Sequence, residues 1–571
     1  MSGDFDPIRL EILWGRLVSI AEEQAKTLIR ASFTTVVGEM EDLACGIYDL
    51  EGNLIAQAAT GTQGILTGMS VGMKHMLRKY PIETLAPGDV LCCNDPWMIT
   101  GHHYDIAVAT PIFMGDAPVA MVATVLHSSD IGGITTAADS NSVYEEGLEI
   151  PILKLFKKGE RNEGLFEIIA ANVRIPDQVV GDLLAQVAAN AVSGQRIVEF
   201  MGEYGLTTLQ PLARAIITTT EQAVREAIAE LPDGVYAYES WADGMDTPLR
   251  IGATVTIRGS DLTVDFAGSS PQTKKGGINC VWNFTFAYTA QAVKSVLAPY
   301  LPNNDGLFRS FNMMAPEGSV INPRFPAPVM ARYIMVGPIS SAVFGALTKV
   351  APDRSVAESC RVTMLPFTGT DERGEPFVQW MVTNGGSGAR PRLDGYAAMA
   401  YPSNVKAVPV EMLETGSPLF VVKKEFIQDS GGPGKFRGGL DQRTTMRLRE
   451  GTQGFAHCFF EGTKFPPRGH HGGLSGRLAE VMLNGRPVAP KEKYALGPQD
   501  EFAFSFGGGG GYYAPAERDP ELVLDDVING YVSPEAATEH YGVVVDMEAR
   551  AVEWARTGWL RKPPPHPGGA R

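Results

Sequence analysis

Apolar residues recur at helical spacing near the start of the chain, in PIRLEILWGRLVSIAEEQAKTLI. Asp6 precedes this run as a candidate N-cap, and Pro7 suits the first turn of a helix. We therefore predict a helix over residues 7–32. The same spacing returns over residues 163–230, which we predict to be a helical middle segment.

Between and after these stretches the pattern is that of strands. LACGIYDLEGNLIAQ predicts a hairpin that bends at Glu51-Gly52-Asn53, and DIAVATPIF, MGDA and PVAMVATVLH predict a second hairpin. From about residue 234 the chain is strand-rich again, and NFTFAYTAQAVKSVLAPYL interrupts it as a predicted helix. DPELVLDDVINGYVSPEAATEHYGVVVD predicts a short helix pair.

These patterns predict a mixed α+β fold of more than one packed unit, because 571 residues exceed what one hydrophobic core usually serves. The N-terminal helix and hairpins fall in a first region, residues 1–160. A helical segment follows at 161–232, then an α/β-β region at 233–430. The last region, 431–571, is β-rich and dense in Gly and Pro.

Composition narrows the classes of partner. The net charge of −16 argues against nucleic acid and against anionic membrane surfaces, since both require a basic face. We find no run long enough to span a membrane, and MSGDFDPIRLEILWGRL has acids where a secretory signal has bases. The six cysteines include no CxxC pair, so we expect neither a disulfide scaffold nor a thiolate zinc site, and a cytoplasmic location.

Two histidines and two aspartates are concentrated in NDPWMITGHHYDI, residues 94–106. In the second predicted hairpin Asp105 begins the first strand and His127 ends the second, so the two face each other about 5 Å apart. His102 or His103 lies close enough on the entering loop to join them, and spacing leaves open which one does. Imidazole and carboxylate together favour Zn²⁺, Mn²⁺ or Fe²⁺. The alternative is a polar loop in which the histidines only form hydrogen bonds with backbone carbonyl groups of the loop.

The same residues carry a family resemblance. NDPWMITGHHYDI followed by VLHSSDIGG resembles the paired signature of the hydantoinase B/oxoprolinase family. The likeness continues along most of the chain, in GEMEDLACGIYDLEGNLIAQ, EGLEIPILKLFKKGE, FAGSSPQTKKGGIN, LPNNDGLFRSF, EFIQDSGGPGKFRGGLDQ, GGGGGYYAPAERDPELVLDDVINGYVS and YGVVV. Together these motifs are specific.

The resemblance implies a particular set of metal ligands. Members commonly read GxHxxD, which places ligands at His102 and Asp105 and a non-ligand at the next position. It also implies that His127 is the third ligand and that Asp42, in MEDLACGIYD, is the fourth. Where many relatives have a second histidine after the third ligand, this chain has Ser128, which puts proton transfer or substrate contacts there in doubt.

The resemblance also implies a reaction and a partner. Family members hydrolyse lactams, hydantoins and 5-oxoproline, or carboxylate ketones, together with a hydantoinase A-type ATPase subunit. We expect a hetero-oligomer in which the partner uses ATP to phosphorylate a cyclic amide, and in which a Zn or Mn ion (or Fe) held by this chain activates water. Asp130 or Asp95 could move protons as a free carboxylate.

Two other functions compete with this hydrolase. The first is a subunit of an ATP-dependent ketone carboxylase of the acetone or acetophenone type, in which the metal would direct an enolate onto CO₂. The second is a non-catalytic scaffold subunit. The complete set of ligands argues against a scaffold, which would be free to lose Asp42 or His127.

Several other motifs suggest no separate activity. GPGK lacks the GxxxxGK[ST] spacing of a phosphate loop, and GGGGG is better explained by a close backbone approach or a flexible loop. Glu146, Glu149 and Arg332 could touch substrate, but we interpret each as a surface or structural residue. His470 and His471 have no nearby carboxylate in the sequence, and we interpret the pair as a loop.

Overall fold

Helices and strands are distributed along the whole described chain. The computed structural model describes residues 5–382 and 384–561, and within them the chain forms thirteen α-helices and 22 β-strands. The helices are α1 (Pro7–Ala31), α2 (Thr35–Gly38), α3 (Gln63–Lys79), α4 (Glu163–Asn172), α5 (Pro176–Glu203), α6 (Gln210–Ala229), α7 (Trp282–Leu297), α8 (Asp305–Arg309), α9 (Val336–Leu347), α10 (Val410–Gly416), α11 (Pro520–Ile528), α12 (Pro534–Tyr541) and α13 (Trp554–Leu560). The strands are β1 (Leu43–Tyr48), β2 (Leu54–Gln57), β3 (Val90–Cys93), β4 (Asp105–Met114), β5 (Ala117–His127), β6 (Leu153–Lys157), β7 (Glu160–Arg161), β8 (Gly234–Ala242), β9 (Leu249–Arg258), β10 (Asp261–Asp265), β11 (Phe311–Met314), β12 (Met364–Thr370), β13 (Pro376–Val382), β14 (Leu419–Phe426), β15 (Gln442–Leu448), β16 (Gln453–His457), β17 (Glu480–Leu483), β18 (Arg486–Pro487), β19 (Lys493–Leu496), β20 (Phe502–Ser505), β21 (Val545–Asp546) and β22 (Ala551–Val552). The predicted mixed fold of helices and strands is confirmed.

The largest sheet lies in the N-terminal part of the chain. Its seven strands run in the order β2-β1-β5-β4-β3-β6-β7, and each neighbouring pair is antiparallel. Helices α1 and α5 cover one face, while α3 packs on the other. Because both faces are covered, β1 is buried at every position and shows no polar alternation.

Both predicted hairpins form. In the second, Asp105 pairs with His127 across β4 and β5, as the sequence predicted. β5 is one residue longer than β4, 11 residues against 10, and a shift of register between Ile112 and Phe113 absorbs the extra residue near the turn. Asp105 and His127 therefore still face each other at the open end of the hairpin.

The predicted helices are also confirmed. α1 begins at Pro7, and the Asp6 carboxylate accepts the N–H of Arg9 at 3.0 Å, which satisfies one free donor of the first turn. The middle segment forms α4, α5 and α6, the interrupting helix is α7, and the late pair is α11 and α12. No helix in the described parts of the chain is long and apolar enough to cross a membrane.

Three further sheets of four or five strands complete the rest of the described chain, apart from the short pair β21 and β22. Their strand orders are β11-β10-β9-β8, β13-β12-β16-β19 and β14-β15-β20-β17-β18. Helix α9 packs on β8, β9 and α7. The first of these sheets, α7 and α9 contribute to one large apolar cluster that continues to β12 and β13. This arrangement brings residues from distant parts of the sequence against the open end of the β4–β5 hairpin.

The glycine-rich segments pack backbone against backbone. Gly509 donates its N–H to the Gly439 carbonyl at 3.0 Å and accepts from the N–H of Gly432 at 2.8 Å. Gly439 in turn donates to the Ser387 carbonyl at 2.9 Å. A Cβ atom on Gly509 would overlap the carbonyl oxygen of Ser387. The GGGGG run is therefore a close backbone approach, one of the two structures that its sequence allowed.

Candidate metal centre

The open end of the β4–β5 hairpin brings three possible metal ligands together. His102 Nε2 lies 2.9 Å and His127 Nδ1 lies 3.3 Å from the same oxygen, Oδ1 of Asp105. One ligand atom from each of the three residues falls within 4.8 Å of the others, and all three side chains are buried. The geometry places His102 in this group. His103 is directed elsewhere, with Nε2 3.7 Å from a carboxylate oxygen of Glu149.

Asp42 reaches the same group from the neighbouring strand. Asp42 immediately precedes β1, whose Leu43 pairs with Leu126 of β5. The backbone carbonyl of Asp42 accepts the N–H of His127 at 3.0 Å. Its Oδ2 lies 4.0 Å from His127 Nδ1, and the Thr62 hydroxyl donates to its Oδ1 at 2.8 Å. The pairing of β1 with β5 therefore brings Asp42 beside His127.

The hydrogen bonds of the two histidines leave room for a cation. His102 Nδ1 lies 3.0 Å from the carbonyl oxygen of Met330, which can only accept, so we assign the ring proton to Nδ1. Nε2 of neutral His102 then points a lone pair at the Asp105 carboxylate. Both groups are hydrogen-bond acceptors, so they require a positive charge between them. His127 Nε2 is also buried without a hydrogen-bond partner. Imidazole and carboxylate donors in this arrangement fit a borderline divalent metal ion.

The charges in the group favour metal binding at neutral pH. Burial, and then the Arg332 guanidinium, lower the pKa of His102 to about 4, so its imidazole is neutral. Burial alone would raise the pKa of Asp105, but the Arg332 guanidinium beside it holds the pKa well below its usual range. Burial raises the pKa of Asp42, and this rise is opposed by His127. Neutral imidazole and ionised carboxylate are the forms that bind metal ions.

Arg332 is a buried part of the site, which agrees with the structural one of the two roles that the sequence allowed it. Its guanidinium forms an ion pair with Oδ2 of Asp105 and lies 3.6 Å above the ring of Phe284. The pair joins residues 227 positions apart, which is why no local pattern revealed it. Because Arg332 holds Oδ2, Asp105 presents its other oxygen to the two histidines.

The glycine before His102 makes space for this arginine. Gly101 has φ +102°, and a Cβ there would lie 2.5 Å from Cδ of Arg332. We expect Gly101→Ala to displace Arg332 and to lower both the melting temperature and the metal content of the purified protein. Gly115→Ala is the matched control, because Gly115 also has positive φ (+64°) but a Cβ there meets nothing within 4 Å. The control carries only the backbone strain, about 1 kcal/mol. Equal effects of the two changes would contradict the role of Gly101.

A small cavity of about 30 Å³ opens onto the group. Residues from many separate parts of the sequence line it: Asp42, Thr62, Ile65, His102, Asp105, His127, Phe284, Tyr288, Arg332, Tyr333, Val336, Val362, Met364, Val382, Ser403 and Val405. Aromatic rings also fix His127, which stacks on Tyr104 at a centroid distance of 5.2 Å and meets the edge of Trp380 at 5.1 Å. A volume of this size admits about one water molecule.

The two predicted proton carriers lie outside this cavity lining. Asp130 is buried, forms an ion pair with Arg174 at 2.6 Å and accepts the N–H of Gly132 at 3.1 Å. Asp95 accepts the N–H groups of Trp97 at 2.9 Å and Met98 at 3.3 Å. Both carboxylates therefore hold loops in the structure described here.

Comparison with known proteins shows the family of the chain. The chain belongs to the hydantoinase B/oxoprolinase family, whose family model matches residues 6–515. It is 30% identical to the B-type component of the putative D-/L-hydantoinase of Pseudomonas sp. strain NS671, with 98% of each chain covered.

Two solved structures share the fold. The crystal structure of the ATP-dependent caprolactamase from Pseudomonas jessenii matches with a TM-score of 0.88 and 25% identity, over 98% of this chain and 100% of that one. The nucleotide-free structure of acetone carboxylase matches with a TM-score of 0.87 and 20% identity, over 97% of this chain and 82% of that one. The second likeness concerns the fold alone.

Proposed function

We propose that this chain is the metal-dependent catalytic subunit of an ATP-dependent amidohydrolase that opens cyclic amides such as hydantoins, lactams or oxoproline-like rings. The observation that carries the proposal is the convergence of His102, Asp105 and His127 on one buried point. Membership of the hydantoinase B/oxoprolinase family and the full-length likeness to an ATP-dependent caprolactamase support the choice of reaction.

Four residues would hold the metal. His102 would use Nε2 and Asp105 its Oδ1, with His127 and Asp42 beside them. A Zn or Mn ion there, or Fe, would act as a Lewis acid and lower the pKa of bound water toward neutrality. Arg332 keeps Asp105 ionised and oriented, while Met330 keeps the His102 proton on Nδ1. The apolar walls of the cavity keep bulk water away from these groups.

Opening an unstrained cyclic amide also needs an activated substrate. We infer that a hydantoinase A-type ATPase subunit transfers a phosphoryl group from ATP to the amide oxygen, and that the two subunits form a hetero-oligomer. Water then adds to the activated carbon, the C–N bond breaks and the nitrogen takes up a proton. A second water hydrolyses the resulting acyl phosphate, which releases phosphate and leaves a carboxylate. The Pseudomonas relative is named as one subunit of a hydantoinase, which supports the existence of a partner subunit. In this chain GPGK and GGGGG lie in the glycine packing, with Gly432 and Gly509 hydrogen-bonded to each other.

The test is turnover by the chain co-purified with a hydantoinase A-type ATPase subunit. We expect ADP release coupled to ring opening of a hydantoin or lactam without bicarbonate, and loss of ring opening in His127→Ala. Ring opening would be followed by chromatography, and metal by mass spectrometry of the same samples.

Other outcomes would give a different function. Turnover only with bicarbonate and a ketone would contradict the hydrolase and identify a carboxylase. Metal bound but no turnover with either set of substrates, while the partner hydrolyses ATP, would identify a scaffold subunit. Retention of full ring opening by His127→Ala would contradict the assigned site.

A further inference from the structure

A buried carboxylate outside the metal group holds a segment of the chain that contacts the site. Glu146 is almost fully buried, with 1% of its surface exposed, and it does not line the cavity. It accepts the Ser140 hydroxyl at 2.6 Å. It also accepts the N–H of Val329, at 2.9 Å through one oxygen and 3.0 Å through the other. The carboxylate therefore fixes the start of the segment of residues 329–332.

This segment delivers two contacts to the metal group. The carbonyl of Met330, the residue after Val329, orients His102. Arg332, two residues further on, forms the ion pair with Asp105. The backbone between them is also fixed, because the N–H of Ala331 donates to the Gly277 carbonyl at 2.8 Å. A displacement at Val329 would therefore reach one histidine ligand and one carboxylate ligand together.

We infer that Glu146 is a positioning residue for the metal centre, acting through the segment of residues 329–332. The inference rests on the metal centre of the proposed function and extends it to a residue that touches neither ligand nor cavity. Outer contacts that orient metal ligands typically change affinity by 10- to 100-fold when they are lost.

The chemistry of the position requires a carboxylate. The groups directed at Glu146 are a hydroxyl and a backbone N–H, both of which donate to it. Glutamine would place its NH₂ donors among them, and alanine would leave the Val329 N–H buried without a partner. Burial raises the pKa of the Glu146 carboxyl to about 7, and the hydrogen bonds from Ser140 and Val329 oppose this rise because they favour the ionised form.

The test is cobalt binding by the metal-free full-length protein, followed by visible absorption. Co²⁺ reports both affinity and ligand geometry. We expect Glu146→Gln to bind Co²⁺ about 10- to 100-fold more weakly than wild type and with an altered spectrum. Asp49→Asn is the matched control, because Asp49 is also a buried carboxylate that accepts two backbone N–H groups, from Glu51 at 2.9 Å and Asn53 at 2.8 Å. It lies in the turn of the first hairpin, so the control should keep the wild-type affinity and spectrum.

A gentler variant covers the case in which Glu146→Gln does not fold. Ser140→Ala removes one donor to Glu146 and should weaken Co²⁺ binding about threefold, with the melting temperature measured alongside. Wild-type affinity in Glu146→Gln, or in Ser140→Ala if only that variant folds, would overturn the inference and leave the metal centre standing. Failure of the wild-type protein itself to bind Co²⁺ would overturn the proposed metal centre and this inference with it.

Discussion

His102→Ala is expected to abolish stoichiometric metal binding and to reduce ATP-dependent ring opening by at least about a hundredfold, whereas His103→Ala leaves both near wild type. His102 Nε2 faces Asp105 at 2.9 Å, so the change removes a ligand from the centre of the group. Loss of an outer contact alone can cost 10- to 100-fold, and loss of a ligand should cost at least as much. Metal content and ring opening would be measured on the same complexes with the ATPase subunit.

His103, the neighbouring histidine, provides the matched control for this change. His103 is as deeply buried as His102, and its ring nitrogens make no hydrogen bond in the described structure. The two variants therefore remove the same side chain from adjacent buried positions, and melting temperatures would show whether either one loses its fold. Loss of metal in His103→Ala with retention in His102→Ala would reverse the assignment.

The second large effect is expected in the glycine packing, where Gly509→Ala should destabilise the fold by about 3 kcal/mol or more. The new Cβ would overlap the Ser387 carbonyl oxygen. Gly509 cannot move away without breaking its hydrogen bonds to Gly432 and Gly439. We expect a melting temperature lower by several degrees and a lower yield of folded protein.

A glycine in an open position provides the control for this change. Gly202 lies in the last turn of α5, and a Cβ there meets nothing within 4 Å. Gly202→Ala should leave the melting temperature unchanged or raise it slightly, since alanine favours helix over glycine by up to about 1 kcal/mol. Equal melting temperatures for Gly509→Ala and wild type would show that the segments can separate freely, against the packing described here.

Local pattern predicted the part of the site that lies on one hairpin. Asp105 and His127 could be paired because antiparallel strands joined by a short turn fix which residues face each other. Counting residues back from the turn paired Asp105 with His127 correctly although β5 has one residue more than β4. The shift of register that absorbs this residue lies near the turn and not at the open end. Spacing left His102 and His103 as alternatives on the entering loop, and the family resemblance selected His102.

Local pattern could not reach the contacts made across the fold. Asp42 joins the site only because β1 pairs with β5, and that pairing brings together strands from different hairpins. Arg332 and Met330 come from a segment more than 200 residues away in sequence. For Asp42 the signal was the family resemblance, and for Arg332 and Met330 no local signal existed.

Two helices beside the site were not predicted, for different physical reasons. α3 contains Gly64 and Gly72, which disfavour a helix in isolation. Their missing side chains let other groups approach, since a Cβ would lie 2.6 Å from the ring of Tyr288 at the first position and 2.8 Å from Ile99 at the second. α9 is buried all round, so its sequence has no polar face to mark a helical period.

The most direct test of the metal centre is anomalous X-ray diffraction from crystals of the metal-loaded protein, recorded on both sides of the absorption edge of the bound metal. We expect one strong anomalous peak within bonding distance of His102 Nε2, Asp105 Oδ1 and His127, with Asp42 beside it. A protein that carries metal but shows its anomalous peak elsewhere, or shows none between these residues, would contradict the metal centre and the function proposed from it.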